Sequence, residues 1–462
     1  MAIETDRTGG RAGAAARPWF TEARGALGLL LLAGVVFANC LGGGFLLDDE
    51  EIYLNDPGLP HLSVRAAFGR MPLQAMPHRQ GFYYYRPITV LAHSLLLRWF
   101  GAQPFALHLF SVVLHAAAGV LVFLLLARLL DPISAWLAAA LFLVHPLHVE
   151  CVAWMAALPE LLAGVFTLLS LYATVRAAAP ATVLDRGRQR KGTVAAPGIW
   201  LILSCLAAAA ALLSKETALA LPLIAAALAG WAAWPLFVVA GGTMAARYMI
   251  IGTATAHLPP RPFWSQVYLM ASALVHYARK TVWPWPLASD YNLRQPLAVW
   301  VISACAAALL AWLATRMPRM RLALLLFLVP LAPALAASLV LPGMRQAQDR
   351  YAYLAVLGFV FLLAFAARRR PGRLALVALV IAWSALSIRA TGYWRDPEAL
   401  WSQTLRVTPL SRNAVLGLGE WYYSTRRFAD AERVYRQGLA YRPNDPDIRA
   451  SHQAVLKALR RD

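Results

Sequence analysis

Two adjacent carboxylates, Asp48 and Asp49, follow directly on the first long apolar run of the chain. Ionised groups at a bilayer boundary are costly to hold, so they usually mark chemistry or a transport path. The run Asp48-Asp49-Glu50-Glu51 also reads more simply, as a solvated stop to a membrane helix. Further polar clusters follow: His145-Pro146-Leu147-His148-Val149-Glu150, Ser214-Lys215-Glu216, Ser289-Asp290-Tyr291 and Gln348-Asp349-Arg350-Tyr351. Each sits at the edge of an apolar run. Carboxylates, imidazoles and cations gathered on one face are the makings of an active site at the membrane surface.

The elements that must position these groups follow from composition. The chain has 462 residues, 60% hydrophobic and 14% charged, with a mean hydropathy of +0.55. One soluble core could not hide so much apolar surface. Apolar runs near the ~20 residues needed to span lipid recur along the chain, which makes it an all-α, polytopic membrane protein. The four cysteines, Cys40, Cys151, Cys205 and Cys305, are scattered in or beside apolar runs and outline neither a disulfide framework nor a zinc site. The net charge of +20 would suggest nucleic acid in a soluble protein. Here much of it sits in loops and the tail, where it orients helices, and no nucleic-acid partner is expected.

Residues 1–25 carry Arg7, Arg11, Arg17 and Arg24 and read as a cytoplasmic arm. The next run, to Leu47, is too long for a usual signal-peptide core and is expected to remain as the first transmembrane helix. Further spans are expected near 105–127, 133–149, 152–175, 199–213, 217–230, 233–251, 297–315, 321–341, 351–367 and 373–391. The basic loops Arg186–Lys191, Arg316–Arg321 and Arg368–Arg373 then share a side with the arm, as the positive-inside rule asks. Segment 263–283, with His276, Arg279 and Lys280, would reverse the last two loops if it crossed, so an interfacial or re-entrant helix is expected. The sum is about eleven crossings, the N-terminus inside and the C-terminus outside. A membrane domain of 26–391, with a first outer loop of 48–104, precedes a soluble tail of 392–462.

In the tail, Leu418, Gly419, Tyr422, Ala431, Tyr435, Gly438 and Pro443 occupy the spacing of a tetratricopeptide (TPR) repeat. Trp401, Thr404, Leu405 and Pro409 lie one period of ~34 residues before Tyr435, Gly438, Leu439 and Pro443. A half repeat, one repeat and a capping helix near 446–460 are expected. So short an array buries its face poorly alone, and docking on the membrane domain or on a protein partner is expected. The plainer reading is a cap for the last membrane helix.

The order Phe45-Leu-Leu-Asp48-Asp49, Tyr85-Arg86-Pro87-Ile-Thr89, His108 to His115, His145-Pro-Leu-His148-Val-Glu150, Leu213-Ser-Lys215-Glu216-Thr217 and Asp349-Arg350-Tyr351-Ala-Tyr353-Leu354 resembles the TPR-containing transmembrane O-mannosyltransferases (TMTC-like). The chain looks like a bacterial relative of that group, within the GT-C superfamily of polyprenyl-phosphate-sugar-dependent glycosyltransferases. It covers nearly the whole chain, tail included. One departure stands out. After the His-Pro-Leu-His-Val-Glu stretch the family carries an Arg followed by an acid, and Leu158-Pro159-Glu160 keeps only the acid.

The resemblance implies transfer of a sugar, mannose being the expected one, from a polyprenyl-phosphate donor to a hydroxyl of an exported protein or other envelope acceptor. It implies a catalytic carboxylate in the first outer loop, which Asp48 or Asp49 matches. Such transfer needs a base for the acceptor hydroxyl and stabilisation of the departing phosphate. With two carboxylates, one can act as base while the other orients the acceptor or binds Mg²⁺ or Mn²⁺. The pair alone is short of ligands for such an ion, and Glu150 is the third candidate. Arg350 is the first choice for the phosphate, because guanidinium presents a planar fork to its oxygens, with Asp349 as its holder and Tyr351 beside it. Arg86 and Lys215 come next, although Lys215-Glu216 also suits a helix-end ion pair. His145 and His148, three apart, fit positioning of donor or acceptor better than metal binding. The aromatic run Phe82-Tyr83-Tyr84-Tyr85, with Trp283, Trp285 and Tyr291, suits interfacial anchoring ahead of sugar stacking.

Two other classes compete. A lipid-linked-sugar flippase or transporter would spread polar groups through the bilayer and show repeated halves, which this chain does not. A non-catalytic scaffold would use the tail to recruit partners and have no need of Asp48, Asp49 and Arg350. The Ala/Arg-rich composition and short tail point to a bacterial inner membrane, with site and tail in the periplasm. An endoplasmic-reticulum home would keep the same chemistry with the lumen outside.

Overall fold

The computed structural model describes residues 21–69, 85–178, 197–251, 262–340, 347–367 and 369–460. Most of the basic arm, the residues Phe82, Tyr83 and Tyr84, the loop Arg186–Lys191 and Arg368 lie outside the described residues. Among the described residues every regular element is a helix, as composition requires.

Helix α1 (Glu22–Phe37) starts where the Thr21 side chain accepts the Arg24 N–H. A 3₁₀ turn and a glycine triplet then carry the chain to α2 (Asp49–Tyr53), α3 (Val64–Gly69) and α4 (Pro87–Phe100). The first loop, expected as 48–104, therefore contains three helices of its own. Pro87 opens α4, where a missing N–H is harmless. Tyr53, Leu59, Leu62, Ala67, Val90 and Leu96 bury one side of this head against Met155 and Leu158.

Helix α5 (Pro104–Leu126) lies against α6 (Pro132–Leu143) so closely that a Cβ on Gly119 would fall 2.4 Å from Leu143 Cγ. The expected span 133–149 is broken. His145 takes the extended backbone that a following proline imposes, its Nδ1 accepts the Leu147 N–H at 3.2 Å, and the chain bends by 49° into α7 (Val149–Ala153). Extended Trp154 then leads to α8 (Leu158–Ala178). Ser170, Thr174 and Ser204 join α8 to α9 (Pro197–Ser214) by hydrogen bonds of 2.6 to 3.1 Å. Such side-chain bonds spare buried polar groups in an apolar setting.

Two helices, α10 (Leu221–Ala229) and α11 (Trp234–Ile251), follow one another across a short junction that uses Gly230 at φ 60°. Beyond it are α12 (Phe263–Val282), α13 (Leu297–Arg316), α14 (Pro318–Val340), α15 (Val356–Ala366) and α16 (Arg370–Thr391). No residue of α13 is buried, and Ile302 and Trp312 are exposed. This helix is a lipid-facing element at the edge of the bundle.

Among the described residues eight helical runs are long and apolar enough to cross a membrane, or nine if the bent α6–α7 pair counts as one span. The protein is an all-α, multi-pass membrane protein. The difference from eleven lies in two places. The expected spans 217–230 and 233–251 form one run, Glu216–Ile250, and α15 is shorter than a full crossing. Helix α12 is not among the spanning runs.

The tail consists of α17 (Pro397–Val407), α18 (Arg412–Ser424), α19 (Phe428–Tyr441) and α20 (Pro446–Leu459). Asp396, Ser411 and Asp445 cap three of them. Gly419 lies under the Tyr435 ring, where a Cβ would approach to 2.3 Å. Trp401, Val415, Leu418, Tyr422, Ala431 and Ile448 complete a separate apolar core, which Leu47 of the first loop also touches.

Candidate functional site

The two adjacent aspartates have unlike surroundings. Leu47 holds φ at 54°, unusual for a branched side chain, and the chain reverses there. Asp49 is 1% exposed. One of its carboxylate oxygens accepts the Leu46 N–H at 2.9 Å and the other the Ala156 N–H at 2.7 Å. Burial pushes its carboxyl up to about 8, against those two N–H bonds, which favour the ionised form. Asp48 is half-buried in the same turn.

The segment that holds Asp49 also builds the cation cluster. Trp154 donates its indole N–H to the Leu46 carbonyl at 3.2 Å, and the Arg350 guanidinium lies 4.8 Å from the indole centroid. Arg350 is bound by Glu150 and, through Nε at 3.2 Å, by Glu160. Glu160 is also paired with Lys215, and both cations lie over the Tyr351 ring. Four charged side chains from α7, α8, the start of the 3₁₀ turn after α9 and the turn before α15 thus share one buried network. Buried charges survive only when paired in this way.

Several expectations change here. Asp349 is not the holder of Arg350; Glu150 and Glu160 are, because α7 and α8 bring both carboxylates to the guanidinium. Asp349 instead accepts the Tyr291 hydroxyl at 2.9 Å, and its other oxygen, Oδ1, is buried with no hydrogen-bond partner. Burial first, and then the Glu150 charge, push its carboxyl up to about 8. Lys215 and Glu216 do not form a helix-end pair with each other. The extended backbone at Lys215 sends the two side chains to different networks, Lys215 to Glu160 and Glu216 to Arg86 at 2.7 Å. Arg247 of α11 binds the same Glu216.

Arg247 is the residue that the sequence reading missed. The signal was there, since an arginine near the end of an apolar run has to be held by something. Glu160 stands out in the sequence only as the acid that the resemblance keeps.

His145 and His148 are fully buried in the bundle. His145 Nε2 contacts the Thr281 carbonyl at 3.0 Å, and His148 Nε2 the Tyr353 carbonyl at 3.0 Å. His115 bridges the Tyr353 hydroxyl and the Leu143 carbonyl, both at 2.9 Å. These imidazoles tie the broken α6–α7 span to its neighbours. Among the described residues no three His, Cys, Asp or Glu are grouped to hold a metal ion. Asp48, Asp49 and Glu150 are accordingly not gathered into such a group among the described residues.

A small cavity lies beside the network, lined by Glu150, Ser289, Asp349, Trp394, Gln403 and Thr404. Membrane helices form one wall and the first tail helix the other.

The fold and site therefore define a multi-pass membrane protein with a dense ionic site at one end of its helical bundle. Comparison with known proteins relates the chain to one type. It is 32% identical to a Caenorhabditis elegans protein O-mannosyl-transferase, F38B6.6, over 164 residues, 33% of this chain and 23% of the relative. It is 30% identical to human protein O-mannosyl-transferase TMTC3 over 161 residues, 33% of this chain and 17% of the relative. With Drosophila melanogaster Tmtc1 the identity is 34% over 200 residues, 42% of this chain and 21% of the relative. Over those stretches the chain is similar to TMTC-type protein O-mannosyl-transferases. It spans about a fifth of the length of these curated relatives. No family model and no solved structure matches it.

Proposed function

We propose that the protein is a membrane glycosyltransferase acting on proteins. It transfers a sugar, mannose being the one its relatives' names carry, from a polyprenyl-phosphate donor to a Ser/Thr hydroxyl. The reaction takes place at the outer face of the membrane, with a bacterial inner membrane as the expected setting. The observation that carries this reading is the link through Trp154, which puts the aspartate turn and the Arg350 network on one scaffold.

In the step itself the acceptor oxygen bonds to C1 of the sugar as the bond from C1 to the phosphate oxygen breaks. The electron pair leaves with the phosphate, and the acceptor proton goes to a carboxylate. Asp48 is the base. It is half-buried, whereas Asp49 is 1% exposed and its two oxygens accept the N–H groups of Leu46 in the same turn and of Ala156 in the turn before α8. The departing phosphate is met by Arg86 and Arg247, which Glu216 holds toward one point and which are more exposed than Arg350. Guanidinium forks suit phosphate oxygens. Arg350, held between two glutamates, orients the groups around the sugar.

The test is transfer by the purified chain in lipid nanodiscs, with labelled polyprenyl-phosphate-mannose and an unfolded Ser/Thr-rich protein as acceptor. Asp48→Asn is compared with the wild-type chain. Mannosylated protein that is lost in the variant supports the reading. Transfer that persists undiminished sinks Asp48 as base, and no transfer from any lipid-linked sugar sinks the activity.

A further inference from the structure

The turn that carries Arg350 is held from two sides. On the bundle side are Glu150 and Glu160. On the other, Asp349 accepts the Tyr291 hydroxyl at 2.9 Å, and that hydroxyl accepts the Ala288 N–H at 2.9 Å. Segment 287–291 therefore curls around one phenol oxygen. The bundle does not hold this segment by itself, because α17 of the tail grips it from outside. Gln403 donates to the Leu287 carbonyl at 3.1 Å. Thr404 Oγ1 accepts the Ser289 N–H at 3.3 Å and lies 2.9 Å from the Ser289 hydroxyl. One turn later, Thr408 donates to the Asp290 carbonyl at 3.0 Å and Asn413 to the Asp290 carboxylate at 3.2 Å.

Thr404 is fully buried and Ser289 is 3% exposed. Polar groups buried in this way are held in fixed geometry by their partners, and a missing partner is felt along the chain of bonds. A tail that merely capped the last membrane helix would have no need to bond side chains over a hundred residues upstream. The cavity walled by Gln403 and Thr404 is also lined by Glu150 and Asp349.

We propose that Thr404, Ser289 and Tyr291 are positioning residues for the transfer reaction, through which the first tail helix sets the Asp349–Arg350 turn. The soluble tail is then a working part of the site, and a protein bound to the tail can alter the rate. This rests on the activity proposed above. The experiment therefore carries a readout independent of it.

Thr404→Val, Thr404→Ser and Tyr291→Phe are made in the full chain in nanodiscs. Transfer kinetics and hydrogen exchange of residues 348–353 are measured on each. Thr404→Val and Tyr291→Phe are each expected to lower kcat about ten-fold, the scale of one hydrogen bond, with donor KM little changed. Combining them is expected to add little, since both cut one chain of contacts, and Thr404→Ser restores the rate. Exchange at 348–353 accelerates in both damaged variants. Wild-type exchange there in Thr404→Val overturns the proposal, as does wild-type kcat in that variant. If the wild-type chain transfers no sugar, the activity reading falls, and the exchange data still decide whether the tail holds the Arg350 turn.

Discussion

The Asp49 carboxylate accepts the Ala156 backbone N–H at 2.7 Å, and so ties the first loop to the turn that presents Trp154 to Arg350. Two residues more than a hundred positions apart thereby join the carboxylate end of the site to its cationic end.

The neighbouring aspartates are expected to fail in different ways. Asp48→Asn should lower transfer by about 100-fold or more, the usual scale for loss of a general base. Asp49→Ala leaves two buried N–H groups without acceptors and should cost about 1–3 kcal/mol of stability per orphaned group. Thermal melts of both variants alongside kinetics separate the two roles.

Stability should fall as pH rises. The Asp49 carboxyl moves from an ordinary value of 3.8 to about 8 on folding, chiefly through burial. Between those values the folded state binds more protons than the unfolded state, so the sign of the linkage makes stability decline with pH. The contribution is fully present below 3.8 and is lost as pH rises through about 8. Asp349 acts in the same direction. Melting temperatures measured from pH 5 to 9 should fall, and Asp49→Asn should flatten the slope. An unchanged slope in that variant removes Asp49 as its source.

The Lys215–Glu160 pair should show strong coupling. Lys215→Met leaves Glu160 to Arg350 alone and should cost about 3–5 kcal/mol, the range for breaking a buried ion pair. Adding Glu160→Gln should recover part of that loss, since the stranded charge is gone. A double-mutant cycle by denaturant titration measures the difference.

Arg247→Lys should raise the donor KM about ten-fold or more, the scale of one lost hydrogen bond to a charged group, with little change in melting temperature. A lysine keeps the charge and loses the fork. An unaltered KM would move the phosphate role back to Arg350.

Much of the architecture was legible in composition. Lipid demands long apolar helices, and the spans near 105–127, 152–175, 199–213, 297–315 and 373–391 appear as helices at those places. The break at His145-Pro146 follows from local proline geometry, and the small residues of the tail meet where helices touch. Less legible was the stretch of α10 and α11, expected as two spans and found as one run, because a run of apolar residues around Gly230 does not say how many times it crosses.

Hydropathy, by itself, determined that this chain is a helical membrane protein with most of its charged groups at the ends of apolar runs. Tertiary structure alone decided which of those groups meet: Asp49 with Ala156, Arg350 with Glu150 and Glu160, and Glu216 with both Arg86 and Arg247. Burial of apolar surface is nondirectional, and a hydropathy pattern therefore sets the level at which a residue sits along the bundle. An ion pair or hydrogen bond acts over a few ångströms between particular atoms. Its partners depend on how each helix is turned about its axis, and side-chain packing against neighbouring helices sets that rotation.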